Sequence, residues 1–149
     1  MDEILDQWIG AFQEIKSSVV LKDILNAHHV DIIDLNQEQL KKGIKSTDGR
    51  LSPYSTLYAK RKRKPRIPKT LYDTGDFYDN IYSSSVDLYT IVGSKDSKAK
   101  YIEAQEAYKS GDSPDDIYGL TDENLDILLY EYHVFDEFAD QYVSKLIAA

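Results

Sequence analysis

Leu71-Tyr72-Asp73-Thr74-Gly75-Asp76-Phe77-Tyr78-Asp79-Asn80-Ile81-Tyr82-Ser83-Ser84-Ser85-Val86-Asp87-Leu88-Tyr89-Thr90-Ile91-Val92-Gly93 combines a helix start with a hairpin. Asp73 or Thr74 is placed to cap one or two helical turns, because a short oxygen-bearing side chain accepts from an orphan amide there. Gly75 permits a close backbone approach or an unusual dihedral. Phe77 and Ile81 stand four apart and would pin the helix to the hairpin. Tyr82–Ser85 and Asp87–Gly93 read as two strands joined by a tight turn. In the second, Tyr89, Ile91 and Gly93 fall on one face and Leu88, Thr90 and Val92 on the other.

Helical patterns lie on both sides of this unit. Upstream, Ile4, Leu5, Trp8, Ile9, Phe12 and Ile15 recur at three- and four-residue spacing, and Val19, Val20, Ile24 and Leu25 continue the stripe after Ser17-Ser18. Asn36 is placed as a cap with Gln39 three positions on, and a short helix through Leu40 should stop near Gly43. Thr47-Asp48-Gly49 reads as a turn. Downstream, Ser97–Lys109 is expected to be helical, with Ala99, Ile102, Ala107 and Tyr108 as its apolar positions. Gly111–Pro114 should break it. Thr121-Asp122-Glu123-Asn124 caps a last helix whose acids face the positive end of its dipole, and Leu125, Leu128, Leu129, Tyr132, Phe135, Ala139, Tyr142 and Leu146 carry its period.

The expected architecture is α+β: one domain over 1–149, with long N- and C-terminal helices packed on a small antiparallel β-hairpin. Residues 1–35 form an N-terminal helical arm, 60–69 an exposed basic loop, and 121–147 the C-terminal helix. No internal repeat is visible.

The net charge of −8 conceals a division along the chain. Residues 1–40 carry eight acids and two bases, 41–69 eleven bases and one acid, and 70–149 seventeen acids and five bases. The middle stretch is therefore +10, and the overall charge misdescribes any one surface. There are twelve tyrosines against one tryptophan. Tyrosine offers large contact area with a hydroxyl that tolerates the wet edge of an interface, though a half-exposed core explains the number as well. The absence of cysteine removes disulfides, thiolate metal sites and cysteine nucleophiles, and it fits a reducing compartment. Met1-Asp2-Glu3 is acidic and leads into an amphipathic segment unlike a signal peptide. No run of about eighteen apolar residues exists, so no membrane partner is expected.

Catalytic constellations are thin. His28 and His29 are adjacent and would point about 100° apart on a helix. His133 and Glu137 share a face at four-residue spacing, but one such pair in an acid-rich helix is common by chance. Asp112, Asp115 and Asp116, and Asp73, Asp76 and Asp79, lack the alternate spacing, central glycine and closing glutamate of a calcium loop. Gly75 and Gly93 are isolated, so there is no phosphate-binding loop. No enzyme activity, cofactor or metal is expected.

The basic run Lys60-Arg61-Lys62-Arg63-Lys64-Pro65-Arg66 is the feature suited to a partner. Self-repulsion and proline argue for an exposed, mobile loop. Its cations could neutralise phosphates with strongly salt-dependent affinity, which makes a small nucleic-acid-binding or regulatory module the alternative reading. Docking on an acidic protein neighbour, including another copy of this chain, fits as well.

Leu71–Tyr82 resembles the "L-x-x-T-G-x-L-x-x-S-I" stretch of phage virion-morphogenesis and tail-completion proteins, the head–tail connector group that includes protein G of phage Mu. In that group the stretch comes after a basic, proline-containing loop and precedes a hairpin, as here between Lys60–Pro68 and Ser83–Gly93. Leu40-Lys41-Lys42-Gly43-Ile44 and Gly49-Arg50-Leu51-Ser52-Pro53-Tyr54-Ser55 are similar to the lead-in. Ile117-Tyr118-Gly119-Leu120-Thr121-Asp122-Glu123-Asn124 is similar to the "F-L-G-L-S-x-E-D" that opens the last helix. Asn80 stands where the group has serine. The resemblance spans residues 40–146 and makes Tyr72, Asp73, Thr74, Gly75, Phe77 and Ile81 the structural motif. It implies a non-enzymatic virion protein of the neck or tail, made in the host cytoplasm. Its expected partners are itself, in an oligomeric ring, and portal, adaptor or tail-tube proteins, with packaged DNA nearby.

Overall fold

Val20 and Ile24 are almost fully buried, so the continuation of the stripe after Ser17-Ser18 buries one face. They belong to α1 (Ser17–Ala27), the first element of the computed structural model, which describes residues 17–86, 89–111 and 113–148. The stripe from Ile4 to Ile15, and so most of the expected N-terminal arm, lies outside the described residues.

α2 (His29–Lys41) comes directly after and buries Ile32, Leu35, Asn36, Gln39 and Leu40, the three- and four-residue spacing of one helical face. Asn36 is therefore not the expected cap. It is fully buried, and its amide reaches the Gly119 carbonyl at 2.7 Å. α2 ends where expected, before Gly43, which sits at φ +73°; a side chain there would meet Pro68 Cβ at 2.8 Å.

The hairpin matches the alternation of its sequence. β1 (Ile81–Val86) pairs antiparallel with β2 (Tyr89–Ser94), in register from Ile81 opposite Ser94 to Val86 opposite Tyr89. Tyr89 and Ile91 face outward at 75% and 50% exposure, while Val92 on the other face packs against the core. Asn26 of α1 closes the edge of β1, accepting from the Ser85 amide at 2.9 Å and donating to its carbonyl at 3.3 Å.

Among the described residues the apolar interior forms two clusters. Leu40, Leu51, Leu71, Phe77, Tyr78, Ile81, Ala99, Ile117 and Tyr118 make the first. Val20, Ile24, Ile32, Leu35, Leu128 and Val134 make the second, and Val92 packs against both. Val92 thus joins the two clusters through the hairpin, in a mixed α and β fold.

Further expectations change. The basic segment is not a loop throughout: Lys60, Arg61 and Lys62 form the last turn of α3 (Thr56–Lys62). Ser55 accepts from the Tyr58 amide at 3.2 Å and caps this helix, and Arg63 ends it in the left-handed region at φ 51°. The short helix α4 (Asp76–Asp79) is capped by neither Asp73 nor Thr74; Gly75 occupies the N-cap at φ 102°. The terminal helix is not continuous. Thr121 caps α6 (Asp122–Asp126), a π-helical turn covers Ile127–Glu131, and the chain breaks at His133, φ 61°, before α7 (Val134–Ala148). The extra residue in the π turn shifts the helical phase, so that Leu128, Val134 and Phe138 face the core while Leu125, Tyr132 and Phe135, expected on the apolar period, are exposed. Between hairpin and α6, α5 (Ala99–Ser110) buries Ala99 and Glu106, whereas Tyr108 is 92% exposed and not an inward position.

Candidate interaction surface

The basic stretch and the 71–81 motif form one surface. Lys62 pairs with Asp73 at 2.9 Å, and that ammonium holds the Asp73 carboxyl below the usual carboxylate range. Lys64 donates to the Tyr72 carbonyl and lies over the Tyr72 ring at 5.9 Å. Arg66 is held by two bonds to Tyr54: its Nε donates to the Tyr54 carbonyl at 3.0 Å, and its own carbonyl accepts from the Tyr54 amide at 3.0 Å. Tyr54 stacks on Tyr58 at 4.9 Å, and Arg61 covers the Tyr58 ring at 5.9 Å. The side chains of Lys60 and Arg63 are exposed, and neither bonds to another described residue.

Within the motif, Tyr72 meets Tyr78 edge-on at 5.6 Å, and the Tyr78 hydroxyl donates to the Thr70 carbonyl. Burial pushes the Tyr78 and Tyr118 hydroxyls well above the ordinary tyrosine value, so both are neutral donors. Thr74 bonds to Asp76 instead of the backbone. Phe77 and Ile81 are both buried in the first cluster, as their spacing implies.

Behind this surface a cleft of about 560 Å³ opens between α3, residues 69–77 and α5. Its walls include Leu57, Tyr58, Tyr101 and Ile102, and Arg61, Lys98 and Lys109 lie along it. At its base Lys69, the last base of the positive stretch, is 4% exposed and paired with Glu106, which is 2% exposed. Glu106 also accepts from the Ser52 amide at 3.0 Å and the Ser52 hydroxyl at 2.7 Å. Burial alone would raise its carboxyl, but Lys69 and Ser52 outweigh that and keep it below its ordinary value, while burial lowers the Lys69 ammonium against the pull of Glu106. Sequence reasoning missed this pair, since no local window connects positions 69 and 106.

The histidines do not converge. His133 Nδ1 lies 3.2 Å from Asp136, while Glu137 meets His28 Nε2 at 3.1 Å. His28 also contacts Asp31 at 2.7 Å; burial lowers its affinity for a proton, but the two carboxylates outweigh it and raise its pKa above 6.5. No group of three or more metal-ligating side chains occurs among the described residues.

The segments carrying the family resemblance meet in space. Phe77 and Tyr118 stack at 6.3 Å, and Leu71, Tyr78, Ile81 and Ile117 complete the same cluster. Gln39 of α2 fixes the second segment, accepting from the Thr121 amide at 2.9 Å and the Asn124 side chain at 3.1 Å. No family model, curated protein or solved structure matches this chain.

Proposed function

We propose that this chain is a structural subunit of a tailed-phage virion, a neck, tail-completion or head–tail connector component that acts by contact with its own copies and with portal, adaptor or tail-tube proteins. The observation that carries the reading is the meeting of Leu71–Tyr82 with Ile117–Asn124 in one core. The two segments are then one structural unit, in which Phe77 and Tyr118 have a reason to occur together. The surface above that unit suits protein docking better than nucleic-acid tracking. Lys60, Arg61 and Lys62 fan around a helix at about 100° per residue, so no single phosphate strand meets them all. Lys62, Lys64 and Arg66 are already engaged within the chain.

The purified protein should form a defined higher oligomer, read as mass by light scattering, or assemble when mixed with portal or tail-tube protein of the phage that encodes it. A strict monomer that binds no virion component would sink the reading. Replacing Lys60, Arg61, Lys62, Arg63, Lys64 and Arg66 by serine should block assembly if these bases meet a neighbouring subunit. If they line a DNA channel, assembly survives and genome retention fails.

A further inference from the structure

The cleft between α3 and α5 has a complement elsewhere on the same chain. α7 buries Val134 completely and packs Phe138 against the cluster containing Val20 and Ile24. Its outer face carries Phe135, Ala139, Val143 and Ile147 at four-residue spacing. Phe135 is 52% exposed, Val143 50% and Ile147 77%. Asp136 and Asp140 are exposed beside this stripe. The outer face is thus an amphipathic helix surface, apolar along its centre and acidic on one flank, touched by the Tyr130 ring at Phe135 (6.1 Å) and otherwise largely exposed at Val143 and Ile147.

The cleft offers the opposite chemistry. Leu57 and Tyr101 expose 80% and 70% of their surface on its two sides. Arg61, Lys98 and Lys109 are exposed cations along it. Its two acids are engaged: Asp73 with Lys62, and Asp96 with the Lys98 amide at 2.7 Å. The recess on the other side of the hairpin is bordered by Glu103 and Asp115 and would repel an acidic helix. Of these two recesses, the cleft between α3 and α5 is the one that pairs exposed apolar side chains with exposed cations.

Resting on the structural-subunit reading above, we infer that the outer face of α7 from one copy seats in the α3–α5 cleft of a second copy. The inner face of α7 is already held on α1, through Val134 and Phe138 against Val20 and Ile24. The two surfaces use different residues of one chain, so the contact is head-to-tail, and repetition of it closes a ring or runs on as a filament. The recognition is that of an amphipathic helix in a groove, with side chains four apart as anchors and rim charges setting orientation.

Charge exchange between the two surfaces tests the pairing. Arg61→Glu with Lys109→Glu makes the cleft acidic, and Asp136→Lys with Asp140→Lys makes the helix basic. All four side chains are exposed, and circular dichroism checks that each variant keeps its fold. Each double variant alone should associate at least ~10-fold more weakly than the wild type by analytical ultracentrifugation, because like charges now face each other. Mixing the two should restore assembly, because each reversed surface meets its complement. If both lose assembly and the mixture stays dissociated, the two surfaces do not touch and the pairing is wrong. If the wild type assembles and both variants assemble equally well, the pairing fails while the virion reading stands. A wild type that is monomeric at every concentration and binds no virion component overturns both.

Discussion

Lys69→Met removes the charge that Glu106 faces while keeping the length of the side chain. Glu106, 2% exposed, then loses the ammonium of Lys69 while still accepting from the Ser52 amide and hydroxyl. Removing one member of a buried pair costs about 3–5 kcal/mol, because the remaining buried charge loses its counter-ion's share of the compensation. Lys69 also sits 5.7 Å from the centre of the Tyr54 ring, and loss of that contact adds to the same side. For a chain of this length each kcal/mol moves the midpoint by about 2–4 °C, so the variant should melt ~10 °C below the wild type. Urea unfolding at neutral pH measures the free energy directly. The penalty should shrink in acid, where Glu106 can take up a proton. In the wild type the depressed Glu106 pKa contributes stability above the ordinary carboxylate value of 4.5, and that contribution is lost as pH falls through the folded value. Lys69→Met combined with Glu106→Leu should recover most of the loss, since a well-packed apolar pair of similar volume is often neutral or better. A cost below about 1 kcal/mol for Lys69→Met, or a double variant no better than the worse single, would refute the view that the buried charge is the costly element.

Other expectations rest on single contacts. His28 has a raised pKa, so its bonds to Asp31 and Glu137 contribute stability that is full below 6.5 and fades as pH rises through the folded value; His28→Gln should flatten that part of a melting-temperature profile against pH. Gly75→Ala places a Cβ at φ 102°, 3.3 Å from the Tyr72 hydroxyl, and should cost about 1–2 kcal/mol in urea unfolding. Thr121→Ala removes the acceptor for the Asn124 amide and should cost about 1 kcal/mol, without altering the oligomer measured by light scattering.

Elements with a local cause were readable in the sequence. The hairpin comes from alternation and a turn, the end of α2 from Gly43, and the α6 cap from Thr121. The misread elements depend on partners far along the chain. Asn36 looks like a cap in isolation, but its amide is drawn inward by the Gly119 carbonyl. Self-repulsion argued for a loop at 60–66, yet the Ser55 cap, the Tyr58 ring beneath Arg61 and the Asp73 carboxylate together stabilise a helical turn. The break before α7 escaped notice because the apolar residues on either side of the π turn continue one sequence period although the turn shifts which of them face inward, and His133 takes a left-handed conformation that its sequence context does not announce. The basic surface was foreseen as charge. The cleft behind it was not, because its walls come from separate segments, α3, residues 69–77 and α5.

The fastening of Lys62, Lys64 and Arg66 has a thermodynamic consequence for whatever binds above them. A long cationic side chain that is free in solution gives up about 0.5–1.5 kcal/mol of rotamer freedom when a complex immobilises it. These three have met that cost during folding, so a partner encounters charges already fixed in position. Affinity at this surface is therefore governed by shape match more than by the number of cations. An acidic polymer of the wrong geometry gains little there, and selectivity is obtained without any additional contact.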